Sequence, residues 1–338
     1  DHRHIDLTVT TGIVVYVKVW HFITFMTAIR DRPLPAAPRP APLSATLDMA
    51  RKPVAVAQDD EVGAGAQDGL LTEIPETQFT FKNCSYTVQV QPNGKAFDRD
   101  FMKKVSKTID KVIIRDISAV ANGGEVLAVM GPSGAGKTTL LRMLTLEKAG
   151  GTPFGNITLN GHPFGAELYK RYCVAVDQVD ALWEYLTARE HLEYSISFCA
   201  GDVDHATTEA RANKLLRQTG LQSCQHTRSF QMSGGQRRRL SLAIALCKDP
   251  LIVFLDEVTS GLDAAGAAAI IKLLKELAVR SGAAIISTIH QPSSSVFAVF
   301  DQTLFLSGGR TAYLGRADGV VRYLASIGRP MPPNTHPA

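Results

Sequence analysis

Apolar and polar positions follow two different periods along this chain, and the period changes near residue 187. Before that point the patterned stretches are short. Residues 79–88 alternate as a half-buried strand does, and residues 112–114, 125–130 and 156–161 are further strand-like runs. We expect these four strands to form an antiparallel β subdomain.

The next sixty residues have helical spacing. Helices are predicted over residues 188–198, 206–219 and 236–247. They lie within a stretch, about residues 180–247, that is long enough to form a helical subdomain of its own.

The pattern then returns to strands. Residues 251–255 and 283–288 are apolar runs typical of strands buried on both faces, and residues 264–279 between them have helical spacing. Strand, helix and strand in alternation predict a parallel sheet with helices on its faces, so the fold class is α/β.

Composition narrows the function classes. The 338 residues are 45% hydrophobic and 20% charged, as in an ordinary globular protein. A net charge of +4 is small for this length and gives no reason to expect a nucleic-acid partner. Five widely spaced cysteines without a CxxC pair argue for reduced thiols and against both a disulfide framework and a zinc site.

The sequence predicts that the first 76 residues do not belong to the folded domain. Residues 7–29 are apolar but are interrupted by a lysine and a histidine, which makes them a poor membrane span, and residues 31–42 are rich in proline and alanine. Met49 resembles a translation start. Our hypothesis is that residues 1–48 do not belong to the functional protein and that residues 49–76 form a flexible polar leader.

A glycine-rich segment, GPSGAGKT, follows the strand at residues 125–130 and fills the pattern GxxxxGK[ST]. Backbone N–H groups of such a turn converge on phosphate oxygens, with a helix N-terminus behind them. Lys137 can then reach the β- and γ-phosphates, and the Thr138 hydroxyl can bind Mg²⁺. The predicted contacts with a nucleotide are Gly131, Pro132, Ser133, Gly134, Ala135, Gly136, Lys137, Thr138 and Thr139.

An acid pair ends the apolar strand at residues 251–255. Asp256 is placed to hold Mg²⁺ beside Thr138, and Glu257 is placed to polarise an attacking water. The alternative is that the pair only opens a surface loop, and the phosphate loop upstream makes that alternative the weaker one.

A second bare helix N-terminus is predicted at Ser233, Gly234, Gly235 and Gln236, with Ser233 as its N-cap. One chain has little use for two phosphate-binding segments unless two copies enclose a nucleotide. Here the chain resembles the ABC ATPases, whose LSGGQ signature is matched except for Met232 in place of leucine.

The resemblance implies a P-loop NTPase fold of the ABC type over residues 77–330, with an antiparallel β subdomain and a helical subdomain that carries the signature. It also implies roles for single residues. Gln178 would bind Mg²⁺, Asp263 would act across a dimer, and His290 would contact the γ-phosphate as a catalytic group beside Lys137 and Glu257. Tyr86 is a candidate for stacking on adenine, with a core position as the equal alternative.

Further segments resemble the G subfamily, the White and pleiotropic drug resistance transporters. They are HQPSSSVF from residue 290, LTARE from residue 186 and the ending from residue 315. In that subfamily membrane helices follow the ATPase domain, so we expect residues 331–338 to begin a connector to a membrane domain that this sequence does not include.

Three positions depart from the subfamily. Gln236 replaces the glutamate of White-type signatures, residues 144–147 differ from LAGR, and Val258 replaces a proline. None of these changes removes a catalytic group.

The resemblance therefore implies an ATPase that uses ATP and Mg²⁺, dimerises head to tail with a like or related domain, and lies on the cytoplasmic face of a membrane. It would power export of a lipid-like or amphipathic substrate through a transmembrane domain. The alternatives are a stand-alone ABC ATPase subunit, a soluble ABC ATPase of translation or DNA repair, and a non-hydrolysing regulatory module.

Overall fold

The structure is a computed structural model, and it describes residues 77–90, 109–147, 150–200 and 203–330. The predictions for the two leaders, for a polar loop around residues 91–104 and for the connector at residues 331–338 fall outside these residues.

An antiparallel sheet of four strands is formed by the first half of the described chain, in the order β2-β1-β4-β5. Its strands are β1 (Gln78–Val90), β2 (Ile109–Asn122), β4 (Gly151–Leu159) and β5 (His162–Pro163). Strands β1 and β2 are longer than the alternation predicted, because the register shifts along them let pairing continue past the interruptions in the pattern.

A second sheet has six strands in the order β10-β9-β3-β8-β7-β6. They are β3 (Val126–Met130), β6 (Cys173–Val176), β7 (Ile252–Leu255), β8 (Ala284–Thr288), β9 (Gln302–Ser307) and β10 (Arg310–Arg316). Strands β3, β6, β7, β8 and β9 run parallel, and β10 is antiparallel to β9.

The position of β3 corrects one prediction. Val126–Met130 belongs to the parallel sheet between β9 and β8, and not to the antiparallel subdomain. All five of its residues are buried. A strand without an exposed face fits a sheet that is covered on both sides.

Helices cover the parallel sheet and form the predicted insertion. They are α1 (Lys137–Leu144), α2 (Ala166–Tyr172), α3 (Ala188–Ala200), α4 (His205–Gln218), α5 (Gly234–Leu246), α6 (Ala264–Ser281), α7 (Ser294–Phe297) and α8 (Val320–Ser326). Among these described helices, none is long and apolar enough to cross a membrane.

Two apolar cores organise these helices. Ile270 and Leu274 of α6 pack with Leu255 and Ile285 of the parallel sheet. Helices α3, α4 and α5 share a separate core that includes Leu192, Leu216 and Leu240. The segment predicted as a helical insertion thus has its own core, and the predicted α/β class, with one antiparallel and one mainly parallel sheet, is confirmed.

Candidate nucleotide-binding site

The carboxyl ends of four neighbouring parallel strands bring most of the predicted site residues to one edge. Val129 of β3 pairs with Thr288 of β8, and Leu255 of β7 pairs with Ser287 of β8 and with Val176 of β6. The residues that follow these strands are therefore level with one another. They are the phosphate loop from Gly131, His290, Asp256 with Glu257, and Gln178. This edge is where open α/β sheets bind ligands.

The phosphate loop needs glycine at two positions for reasons of space and backbone angle. Gly131 has φ 149° and Gly136 has φ 100°. A Cβ at Gly131 would lie 2.2 Å from the carbonyl oxygen of Leu306, and one at Gly136 would lie 2.5 Å from Cγ2 of Ile114. Strands β9 and β2 thus press against the loop, and larger residues cannot follow this path.

Helix α1 begins directly after the loop. Its N-cap is Gly136, which provides no side-chain cap, so the first N–H groups of the helix remain available to an anion. Lys137 is buried, and its Nζ donates to the carbonyl oxygens of Gly131 at 2.8 Å and Pro132 at 3.2 Å. Its ammonium group therefore lies within the loop. Thr138 and Thr139 are half-buried beside it.

Asp256 and Glu257 are oriented by a residue that the sequence did not single out. The Thr288 hydroxyl donates to Oδ1 of Asp256 at 2.6 Å and accepts the backbone N–H of Glu257 at 2.8 Å. Thr288 is fully buried at the end of β8. The only available signal was a polar residue at the end of an otherwise apolar run.

Glu257 has an unusual backbone. Its φ of 44° lies in the left-handed region, which a residue with a side chain rarely adopts. Its carboxylate accepts from Gln178, whereas that of Asp256 accepts from Thr288. A strained position of this kind costs on the order of 1–3 kcal/mol and is often found in functional sites.

Gln178 contacts the predicted base. Its Nε2 donates to Oε2 of Glu257 at 3.0 Å and to Oγ of Ser260 at 3.3 Å. Both bonds use the amide nitrogen, so the amide oxygen is left for a cation. The predicted binding of Mg²⁺ by Gln178 remains a prediction.

His290 is exposed at the end of β8. Because β8 lies between β3 and β7, this imidazole follows the strand that separates the phosphate loop from the acid pair. The next residue, Gln291, has a φ of 43°, so the chain turns sharply after the histidine.

The signature segment is capped by its own side chains. Ser233 Oγ accepts the N–H of Gln236 at 3.3 Å, and Gln236 Oε1 accepts the N–H of Ser233 at 2.9 Å, which is a capping box. Gly234 is exposed and lies close to Leu262. A nearby residue, Asp263, caps α6 by accepting the N–H of Gly266 at 3.2 Å.

Tyr86 is placed as a core residue. It is 4% exposed, its hydroxyl accepts the N–H of Gly151 at 2.9 Å, and a Cβ at Gly151 would lie 2.4 Å from its ring. It lines a cavity of about 540 Å³ with Met143 and Leu146, at the carboxyl end of α1. The phosphate loop lies at the other end of that helix. The structure therefore favours the core alternative for Tyr86 over adenine stacking.

Comparisons with known proteins identify the family. The family model described as ABC transporter matches residues 114–260, from β2 to just beyond the acid pair. The chain is 34% identical over 276 residues to ABC transporter G family member 16 of Arabidopsis thaliana. This match covers 80% of this chain and 37% of that protein. It is 38% identical over 238 residues to Protein white of Drosophila melanogaster, covering 68% of this chain and 34% of that protein.

A third relative is ABC transporter G family member 12 of Dictyostelium discoideum, 34% identical over 288 residues, with 77% of this chain and 44% of that protein covered. The chain thus spans less than half the length of these relatives. The family and the subfamily expected from the motifs are confirmed by these matches. The chain belongs to the ABC transporter family, as an ATP-binding domain of the G-subfamily type.

Proposed function

We propose that this domain binds Mg·ATP at the carboxyl edge of the parallel sheet and that its hydrolysis drives a membrane transporter. The observation that carries the proposal is the strand register, which puts the phosphate loop, the acid pair, Gln178 and His290 on one edge. Phosphoryl transfer to water needs positioning and charge stabilisation more than covalent chemistry, and these groups supply both.

The phosphate-binding groups are Lys137 and the backbone N–H groups of residues 131–138. The donor set for magnesium is the Thr138 hydroxyl, the Gln178 amide oxygen and the Asp256 carboxylate. These are oxygen ligands of the kind that Mg²⁺ prefers, together with phosphate oxygens of the nucleotide. The bound ion would neutralise charge on the phosphates.

Glu257 is the proposed base that polarises the attacking water. Its carboxylate accepts from Gln178 Nε2 at 3.0 Å, so the glutamine orients the base as well as the ion. His290 would stabilise the γ-phosphate from the neighbouring strand. Glu257 and His290 therefore act from two adjacent strands of the same edge.

A second domain is proposed to complete the site. The signature segment offers the exposed N-terminus of α5 with Ser233 and Gly234, and the segment that contains Leu262 and Asp263 lies beside it. Two copies, or this domain and a homologous one, would close head to tail so that each signature faces the other's phosphate loop.

A membrane domain is the proposed partner of the surface beyond Gln178. Val179, Trp183, Tyr185 and Phe230 are exposed there by 78%, 48%, 75% and 48%, and the rings of Tyr185 and Phe230 lie 6.1 Å apart. A patch of large apolar side chains on a protein surface marks an interaction site. We propose that it contacts a transmembrane domain, in the same polypeptide or in a separate one, on the cytoplasmic face of the membrane.

The finer parts of the proposal follow from the family alone. Export, and a lipid-like or amphipathic substrate, are proposed because the relatives are named as G family transporters. Specificity would lie in the membrane domain and not in the residues described above.

The test is Glu257→Gln in the 338-residue chain. We expect ATP hydrolysis to fall by at least about 100-fold, the usual size of a general-base effect, while the Kd of a fluorescent ATP analogue changes less than about twofold. The matched control is Glu276→Gln, an exposed glutamate on α6, which should leave both quantities unchanged. Normal hydrolysis by the Glu257 variant would remove the proposed base.

A further inference from the structure

Three consecutive arginines on α5, residues 237–239, have different surroundings. Arg237 is exposed, Arg239 is half-buried, and Arg238 is only 3% exposed. Arginine is almost never buried to this degree unless its charge is paired. The burial of Arg238 therefore needs a structural reason, and its contacts supply one.

The guanidinium of Arg238 donates to two separate segments. Nη1 donates to the carbonyl oxygen of Asp177 at 2.7 Å and to Oδ1 of Asp180 at 2.9 Å. Nε donates to the carbonyl oxygen of Val258 at 3.1 Å. Nη2 makes longer contacts with the carbonyl oxygens of Asp256 at 3.4 Å and Glu257 at 3.3 Å.

These two segments carry the proposed catalytic groups. Residues 177–180 contain Gln178, and residues 256–258 contain the acid pair. Arg238 itself stands on α5, the helix that begins at the signature segment and packs in the core shared with α3 and α4. The side chain of Arg238 thus connects helix α5 to both segments, residues 177–180 and residues 256–258.

Asp180 strengthens the connection from the other side. Its Oδ1 also accepts from Ser241 Oγ at 2.8 Å, one turn beyond Arg238 on the same helix. The segment at residues 177–180 is therefore attached to α5 at two points. The planar fork of arginine, with five N–H donors, suits this set of acceptors, whereas the ammonium group of lysine has three donors at one point.

We propose that Arg238 is a positioning residue, which holds Glu257 and Gln178 in register and passes any movement of the signature helix to both of them. The proposal rests on the proposed hydrolysis of ATP at this edge. The effect of Arg238 is on the carbonyl groups of the two segments and on Asp180.

The test compares Arg238→Lys and Arg238→Gln with Arg239→Gln in the 338-residue chain. Arg239 is the matched control because it is the next residue on the same helix and its guanidinium faces Gly220 in the helical subdomain. We expect both Arg238 variants to lower kcat for ATP by at least about tenfold, with the Kd of a fluorescent ATP analogue within about twofold. The Arg239 variant should match the unchanged chain.

Hydrogen exchange supplies a readout that does not depend on turnover. Amides of residues 177–180 and 256–261 should exchange faster in both Arg238 variants, while those of β3 and α1 keep their rates. Asp180→Asn, which leaves the guanidinium in place, should speed exchange at residues 177–180 alone and lower kcat by about threefold. This milder variant keeps the proposal testable if the Arg238 variants do not fold.

The outcomes separate the two proposals. Unchanged kcat and exchange in the Arg238 variants would overturn the positioning role and leave the proposed function standing. Absence of hydrolysis in the unchanged chain would overturn the proposed function, and the exchange rates would still decide whether Arg238 joins the two segments. A rise in exchange spread over the whole domain would reduce Arg238 to a stabilising residue and overturn the proposal.

Discussion

The phosphate loop at residues 131–138 and the signature segment at residues 233–236 both lead into a helix N-terminus, yet they are built differently. The loop is enclosed: its glycines have positive φ, neighbouring strands leave no space for a Cβ at two of them, and Lys137 is buried within it. The signature segment is open and has ordinary backbone angles, and its Ser233 and Gln236 cap each other. In the proposed function the loop binds phosphate by itself, whereas the signature segment acts only when it faces a second domain.

Two substitutions with the largest expected effects separate these roles. Lys137→Ala removes the one buried cation of the loop, and we expect ATP binding to weaken by about 100-fold, or about 2.7 kcal/mol, with hydrolysis lost as well. Ser233→Arg should reduce hydrolysis to a similar extent while the isolated domain keeps its Kd for ATP. Isothermal titration of each variant, with a phosphate-release assay, measures both quantities.

The proposed difference between the two segments would be wrong if both variants lost ATP binding or if both kept hydrolysis. If the Ser233 variant bound ATP more weakly as a dilute monomer, the signature segment would contribute to the phosphate site of its own chain and not to that of a second domain. Equal rates of hydrolysis in the Ser233 variant and the unchanged chain would contradict the proposed dimer.

A smaller difference is expected in stability. Gly136→Ala places a Cβ against Ile114 at a φ of 100°, so we expect the free energy of unfolding to fall by about 1–3 kcal/mol. Gly235→Ala meets no atom within 4 Å and lies in the first turn of α5, so stability should stay the same or rise by up to about 1 kcal/mol. Denaturant unfolding of the two variants gives the values, and an equal loss in both would show that the signature is as constrained as the loop.

The smallest effect is expected at Gln236. Either glutamine or glutamate can accept the Ser233 N–H in a capping box, and a negative charge suits a helix N-terminus. Gln236→Glu, the White-type residue, should therefore change the free energy of unfolding by less than about 0.5 kcal/mol and leave hydrolysis unaltered. Thermal unfolding with an ATPase assay checks this, and a large loss of either would give Gln236 a role beyond the cap.

Local patterns predicted much of this fold because each sequence motif lies directly at the end of a strand or at the start of a helix. The apolar runs before the phosphate loop and before Asp256 are strands β3 and β7, and the three predicted helices of the insertion are α3, α4 and α5. The prediction that failed was which strands pair with β3. A buried run does not reveal whether its neighbours run parallel or antiparallel, so β3 was assigned to the wrong sheet.

The site was harder to predict where its support comes from distant backbone. Thr288 and Arg238 act on Asp256 and Glu257, which are separated from them by 18 to 32 residues, and most of their partners are main-chain atoms. Main-chain acceptors leave no trace in a sequence motif. Tyr86 illustrates the reverse problem, because an aromatic residue on a strand can be a ligand contact or a core residue, and its burial decided between them.

Through the Thr288 hydroxyl, strand β8 also positions the acid pair at residues 256 and 257. Two residues before His290, this hydroxyl fixes the carboxylate of Asp256 and the backbone of Glu257. Side chains alternate between the faces of a strand, so a slip of β8 by a single residue would turn Thr288 to the opposite face and displace His290 as well. Such a slip would remove three alignments at once. The pairing register of this strand therefore sets the alignment of the proposed catalytic groups as well as the stability of the sheet.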